Sequence, residues 1–283
     1  MARTLQERID ATGEFARSPD REVFDLVAAE IGPQMEQAGI SSAGDVRDSG
    51  RTDRFLEGLR LVVRYAPGLK FVGEGSSRYV YELPSGKYVL KAAKNYMGLL
   101  QNSNEIAANM AGSADYDCFV RVLAYDPAMV LLVEDRCREI RMAEWAPLLG
   151  VSLHRFVQIV RVALERNTTV GSLLKTCEEK GASSPEVRAL FRPKEGTPEP
   201  DYSPSDFPGV VSFMRNMKAA AEGRPAAELW RSLFDVFRFY EECGPGKLEV
   251  GELPWPEQWG LCGEGKDVRI VLVDPGVGAD FAP

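Results

Sequence analysis

FVGEGSSRYVYELPSGKYVLKAAKN, Phe71 to Asn95, is the stretch on which the reading of this chain turns. It opens with Gly73-Glu74-Gly75-Ser76-Ser77, and glycine serves where backbone N–H groups must approach a ligand closely, because a side chain would block the approach. A tight glycine turn between two strands is the commoner origin of such a run. Tyr79 to Leu83 then alternates as a strand, Pro84-Ser85-Gly86 supplies turn residues, and Lys87 to Lys91 returns, which predicts a β-hairpin. Lys91 closes the apolar run Tyr88-Val89-Leu90. A lysine there either snorkels from the strand end or meets a phosphate or carboxylate, and the buried strand favours the second.

Outward from the hairpin the hydrophobic period changes. NYMGLLQNSNEIAANM predicts a helix near Leu100 to Met110, carrying Glu105. Strands are expected over Phe119 to Ala124 and Met129 to Glu134, joined by the turn Tyr125 to Ala128. Towards the N-terminus the chain up to Pro67 reads as helical: Val23, Val27 and Ile31 share a face, as do Phe55, Leu59, Val62 and Val63. Beyond Cys137 one amphipathic helix spans Leu153 to Leu164, and Leu229, Leu233, Val236, Phe237 and Tyr240 define another. Between them Gly181 to Gly209, rich in proline and polar residues, reads as an exposed, partly mobile excursion. A last strand pair, Trp259 to Cys262 and Val268 to Val273, precedes Asp274-Pro275-Gly276.

Composition narrows the function classes. With 283 residues, 45% hydrophobic and 27% charged, the chain can bury one sizeable core or two modest ones. No run approaches the roughly 20 apolar residues that span a bilayer, and the first residues lack the apolar core of a signal peptide, so a cytoplasmic location without a membrane partner is expected. A net charge of −8 argues against a broad nucleic-acid surface. Five cysteines without C-x-x-C spacing are expected to be reduced and buried. His154 is the one histidine, expected at the surface, which weakens every mechanism that needs a histidine base.

The order of elements resembles the protein kinase-like fold. In that family a glycine-rich loop covers the ATP phosphates, a strand lysine holds them, a helix glutamate orients the lysine, and an aspartate before glycine carries magnesium. Here Y-V-L-K looks like the V-A-I-K element and D-P-G stands where D-F-G would. The chain is also similar to small kinase-like proteins of bacteriophages in GEGSSRYVYEL, VLKAAKN, QNSNE and EQWG. The resemblance implies an α+β, two-lobed fold: a helical N-terminal extension over 1–67, an N-lobe with an antiparallel sheet and one helix over 68–137, and a truncated, mostly helical C-lobe over 138–283. That C-lobe would carry the insertion 181–209 and the strand pair 259–274.

The resemblance further implies ATP and Mg2+ as cofactors, met by Gly73, Gly75, Ser76, Ser77, Lys91 and Glu105. The Glu134 and Asp135 backbones would form the hinge that contacts adenine, and Asp274 would carry the metal. Departures are equally informative. Arg78 replaces the third loop glycine, either lying over a phosphate as an added cation or pointing to solvent. No H-R-D occurs; Glu252 is the candidate replacement for its aspartate and Gln258 for the metal-binding asparagine, at a spacing one residue too long. After Gly276 the sequence is too short for a peptide-substrate platform. Two readings follow: an ATP-dependent phosphotransferase or nucleotidyltransferase of atypical or lost activity, and a kinase-shaped binding or structural protein whose partner is a host or virion protein.

Overall fold

A computed structural model describes residues 13–38, 55–56, 59–60, 62–112, 116, 118–156, 158–159, 170–181, 184–190, 207–224, 228–243, 258–263, 265 and 268–273. The fold is α+β with antiparallel sheets. The described residues fall into two compact units, the first running to Cys137 without Tyr116 and Cys118, the second made of those two and Arg138–Val273.

The first unit holds α1 (Pro19–Ala38), β1 (Lys70–Glu74), β2 (Arg78–Glu82), β3 (Tyr88–Ala93), α2 (Tyr96–Gly112), β4 (Val122–Tyr125) and β5 (Leu131–Asp135). Pro19 needs no N–H partner at the first helical position, and Asp20 and Glu22 complement the positive end of α1. The strands form one five-stranded sheet in the order β1-β2-β3-β5-β4. Register then sorts the side chains. Tyr81 lies opposite Leu90, which lies opposite Val133; Val80 lies opposite Lys91, which lies opposite Leu132. Because strand side chains alternate, these two rows occupy opposite faces.

The Tyr81–Leu90–Val133 face joins a single core with Phe15, with Phe24, Val27 and Ile31 of α1, and with Phe55, Leu56, Leu59 and Val63. The residues before Pro67 that the periodicity assigned to helices thus share the core of the sheet. The Asp20 carboxylate also accepts the Ser85 N–H of the hairpin turn at 2.9 Å.

The second unit holds β6 (Arg138–Glu139), a 3-10 turn over Met142–Glu144, α3 (Trp145–Leu149), α4 (Val170–Lys180), α5 (Pro185–Leu190), α6 (Phe207–Ala221), α7 (Glu228–Cys243), β7 (Trp259–Cys262) and β8 (Arg269–Leu272). A three-stranded antiparallel sheet, β6-β7-β8, packs with α7, whose Leu229, Leu233, Val236 and Phe237 are buried as their spacing predicts. Trp259 is 1% exposed and sits edge-on to both Phe156 and Trp145, so it is a packing anchor.

Several expectations are corrected. The stretch 181–209 contains the short helix α5, exposed at Pro185, Glu186 and Ala189 and anchored by the buried Val187, while 182–183 and 191–206 lie outside the described residues. His154 is half-buried, because the helix beginning at Leu153 is packed on most of its surface. Cys118 and Cys177 are buried and outside any disulfide, as expected, but Cys137 and Cys262 are each disulfide-bonded. Disulfides persist in oxidising surroundings, so the cysteines do not support the cytoplasmic expectation. No helix among the described residues is long and apolar enough to cross a membrane.

Candidate functional site

All residues of β3 are buried, Lys91 included, at 4% exposure. Alternation turns Lys91 away from the apolar core and towards α2. There its Nζ donates to both oxygens of Glu105, at 3.0 and 3.1 Å. The two residues paired in the sequence reading are thus brought together.

They are not alone. Glu134, on the same face of the adjoining β5, places Oε1 2.7 Å from the Lys91 ammonium. Arg78 donates to Glu105 Oε1 at 2.5 Å from β2, so it neither points to solvent nor extends over the loop. All four side chains are at least nine-tenths buried: Arg78 7%, Lys91 4%, Glu105 3% and Glu134 2% exposed. The cluster is a quartet of two cationic and two acidic side chains. Burial works against ionising Glu105, yet the charges of Arg78 and Lys91 outweigh it and hold its carboxyl below the ordinary value. For Glu134 burial prevails over the attraction of Lys91 and, with Glu105 adding repulsion, pushes the carboxyl up to about 8.

The backbone of Glu134, expected at a hinge, is instead inside the sheet, paired with Val89 on one side and Val122 on the other. The next amides are engaged too: Asp135 N–H donates to the Arg121 carbonyl and Arg136 N–H to that of Lys87.

The glycine segment is held down at its carbonyls. Gly75 N–H donates to the Arg78 carbonyl at 2.9 Å, closing the turn. The Lys94 ammonium donates to the Gly75 carbonyl, the Asn95 amide to that of Ser76, and the Lys94 N–H to that of Ser77. The Ser77 hydroxyl donates to the Gln101 side chain. Gly98 permits this approach, since a Cβ there would run into the Ser77 carbonyl. Among the described residues, no atom beyond the adjoining residues lies within 4 Å of where a Cβ would project from Gly73 or Gly75.

Further anchors fix the helix that carries Glu105. Asn102 donates to the carbonyls of Met129 and Val130, and Asn109 donates to the Val120 carbonyl while accepting the Val122 N–H. Met129 adopts a left-handed φ of 58°, unusual for a side chain of this size. Sequence reasoning missed these asparagines and the contact between Glu134 and Lys91. For Asn102 the polar run Asn102-Ser103-Asn104-Glu105 was the signal, because polar side chains that a helix buries must find partners.

Of the remaining candidates, Glu252 and Asp274 lie outside the described residues. Gln258 is half-buried in the second unit, immediately before β7, where its carbonyl accepts the Val273 N–H at 2.9 Å. Among the described residues no group of three or more His, Cys, Asp and Glu side chains converges to hold a metal. No protein-family model matches this chain, and no curated protein or solved structure is found to be similar to it.

Proposed function

We propose that this chain is a kinase-like nucleotide-binding protein, with ATP as its nucleotide and with phosphotransfer that is atypical or lost. The observation that carries this reading is the buried Lys91–Glu105 pair at 3.0 Å, built from a strand and the helix that follows it. Strand order β1-β2-β3-β5-β4, with α2 between β3 and β4, is the arrangement such a domain requires. In this reading the Gly73–Gly75 backbone approaches the phosphates and Lys91 supplies positive charge, as positioning and electrostatics do in phosphoryl transfer generally. The missing H-R-D element supports phosphotransfer that is atypical or lost. The two-lobed arrangement, the phage kinship and a host or virion partner belong to the same proposal.

Calorimetric titration of MgATP into the purified protein tests it. Saturable binding that Lys91→Met and Asp274→Asn both remove is the expected result. A folded wild type that takes up no nucleotide at millimolar MgATP would overturn it. That outcome would leave the second reading, a kinase-shaped interaction protein, which the clamped loop favours, together with a Lys91 already held by two acidic side chains.

A further inference from the structure

β1 is an edge of the five-stranded sheet, with β2 as its one neighbour among the described strands. An edge strand leaves alternate backbone N–H and C=O groups without a ladder partner, and such edges are ordinarily covered, charged or bent away. Four of the five residues of β1 are exposed, and Phe71 and Val72 keep 54% and 52% of their surface in solvent. The strand's register with β2 slips between Phe71 and Gly73, a bulge that bends the edge without covering these two side chains.

Two arginines border this edge. Arg60 and Arg64 are exposed and stand four positions apart on helical turns, so they share a side. Tyr81 is their common neighbour with β1: Phe71 meets its ring edge-on at 5.5 Å, and while burial raises the pKa of its hydroxyl, the charges of Arg60 and Arg64 oppose that rise. Arg60 also lies over the Tyr79 ring, at 5.5 Å. Among the described residues neither arginine has a carboxylate partner. Glu74, the one acid of β1, is instead held by Lys94 at 3.3 Å.

We infer that the β1 edge receives an extended acidic segment of a partner protein, which adds a sixth strand to the sheet and sets carboxylates towards Arg60 and Arg64. Strand addition joins a backbone ladder, which gives affinity, to alternate side chains, which give specificity. Here the side chains would meet Phe71 and Val72 and, on the face that carries Tyr81, the two arginines. The added strand would lie two strand spacings, roughly 10 Å, beyond β2, a gap that glutamate and arginine side chains bridge between them. A nucleic acid would satisfy the arginines but offers no alternating N–H and C=O groups to the edge. Lys91 occupies the opposite face of the sheet from Tyr81, so this surface is separate from the candidate nucleotide site.

The probe is a fluorescent Glu-Val repeat peptide of about eight residues, the length of an ordinary strand, followed by anisotropy at low salt beside a Lys-Val peptide. Wild type is expected to bind the acidic peptide saturably below about millimolar concentration and to bind the basic one at least about tenfold more weakly. The double variant Arg60→Glu, Arg64→Glu should reverse this preference, and a gain of Lys-Val binding cannot arise from misfolding. The Glu-Val peptide N-methylated along its backbone keeps its charges but cannot form the ladder, and it should lose binding to wild type. A folded wild type that leaves the acidic peptide unbound overturns the inference. So does an N-methylated peptide that binds as well as its parent, since charge alone would then act. A double variant with unchanged preference overturns it, as does a single-stranded oligonucleotide that binds wild type more tightly than the acidic peptide.

Discussion

The two faces of the five-stranded sheet use the same strands and differ completely in chemistry. One presents Tyr79, Tyr81, Leu90, Ala92, Leu131 and Val133 to the apolar core shared with α1. The other presents Arg78, Lys91 and Glu134 to Glu105 of α2. The first face is explained by folding alone, since burying apolar surface drives it. The second is not: taking charges out of water costs several kcal/mol per ion, and pairing only about offsets it. A fold that needed stability would have placed apolar residues there, so the ionic face points to function.

That contrast can be broken by substitution. Glu105→Ala removes the carboxylate that two buried cations share, and it should destabilise the protein by about 3–5 kcal/mol in urea unfolding. Replacing the whole quartet with apolar groups of similar volume should instead be neutral or stabilising by about 1–4 kcal/mol. If the full replacement were as damaging as Glu105→Ala, the quartet would be structural and the contrast would fail.

On the apolar face, Leu90→Ala opens a cavity at a fully buried position, and a loss of about 2–5 kcal/mol is expected. MgATP titration of this variant should match wild type wherever it remains folded. An altered affinity would mean that the faces are not independent.

Gly98→Ala is a smaller test, placed where the glycine segment meets α2. The new methyl would strike the Ser77 carbonyl, at a cost of about 1–3 kcal/mol as the backbone shifts. Hydrogen exchange should show the Lys94 amide losing protection, since it donates to that same carbonyl. Unchanged exchange would show that the clamp does not depend on Gly98.

A further effect is in pH dependence. The Glu134 carboxyl is pushed up to about 8, well above its unfolded value, so the folded chain keeps a proton that the unfolded chain has lost. Its contribution is complete below the unfolded pKa and fades as pH rises towards about 8. Glu105 acts in the opposite sense, losing its contribution only in acid, because its carboxyl is held low. Between about pH 5 and pH 8 the urea midpoint of wild type should therefore fall relative to that of Glu134→Gln. A constant difference between the two across that range would refute the assignment.

Much of the sheet was legible. The hairpin from Tyr79 to Lys91 appears as β2 and β3 within a residue or two, because its alternation and its Pro-Ser-Gly turn are local signals. The helix expected from Leu100 begins earlier, at Tyr96, since Asn95 caps it through its side chain and accepts the Gly98 N–H at 3.1 Å. The strand expected over Phe119 to Ala124 starts only at Val122. Less legible was α5, whose short segment in a proline-rich stretch is anchored by the burial of Val187 rather than by propensity.

At the site the division is sharper. The sequence alone placed Lys91 on a buried strand, Glu105 on the following helix and glycines before the hairpin, because period and turn chemistry act over a few residues. Only the tertiary structure decided what Lys91 touches. Arg78 reaches Glu105 across 27 positions, and Glu134 meets Lys91 through the register of β3 with β5. Register depends on how whole strands align, and a shift by one residue would turn Glu134 to the apolar face. The sequence thus set which charges the chain carries inward; the pairing of strands set which carboxylate stands on the lysine.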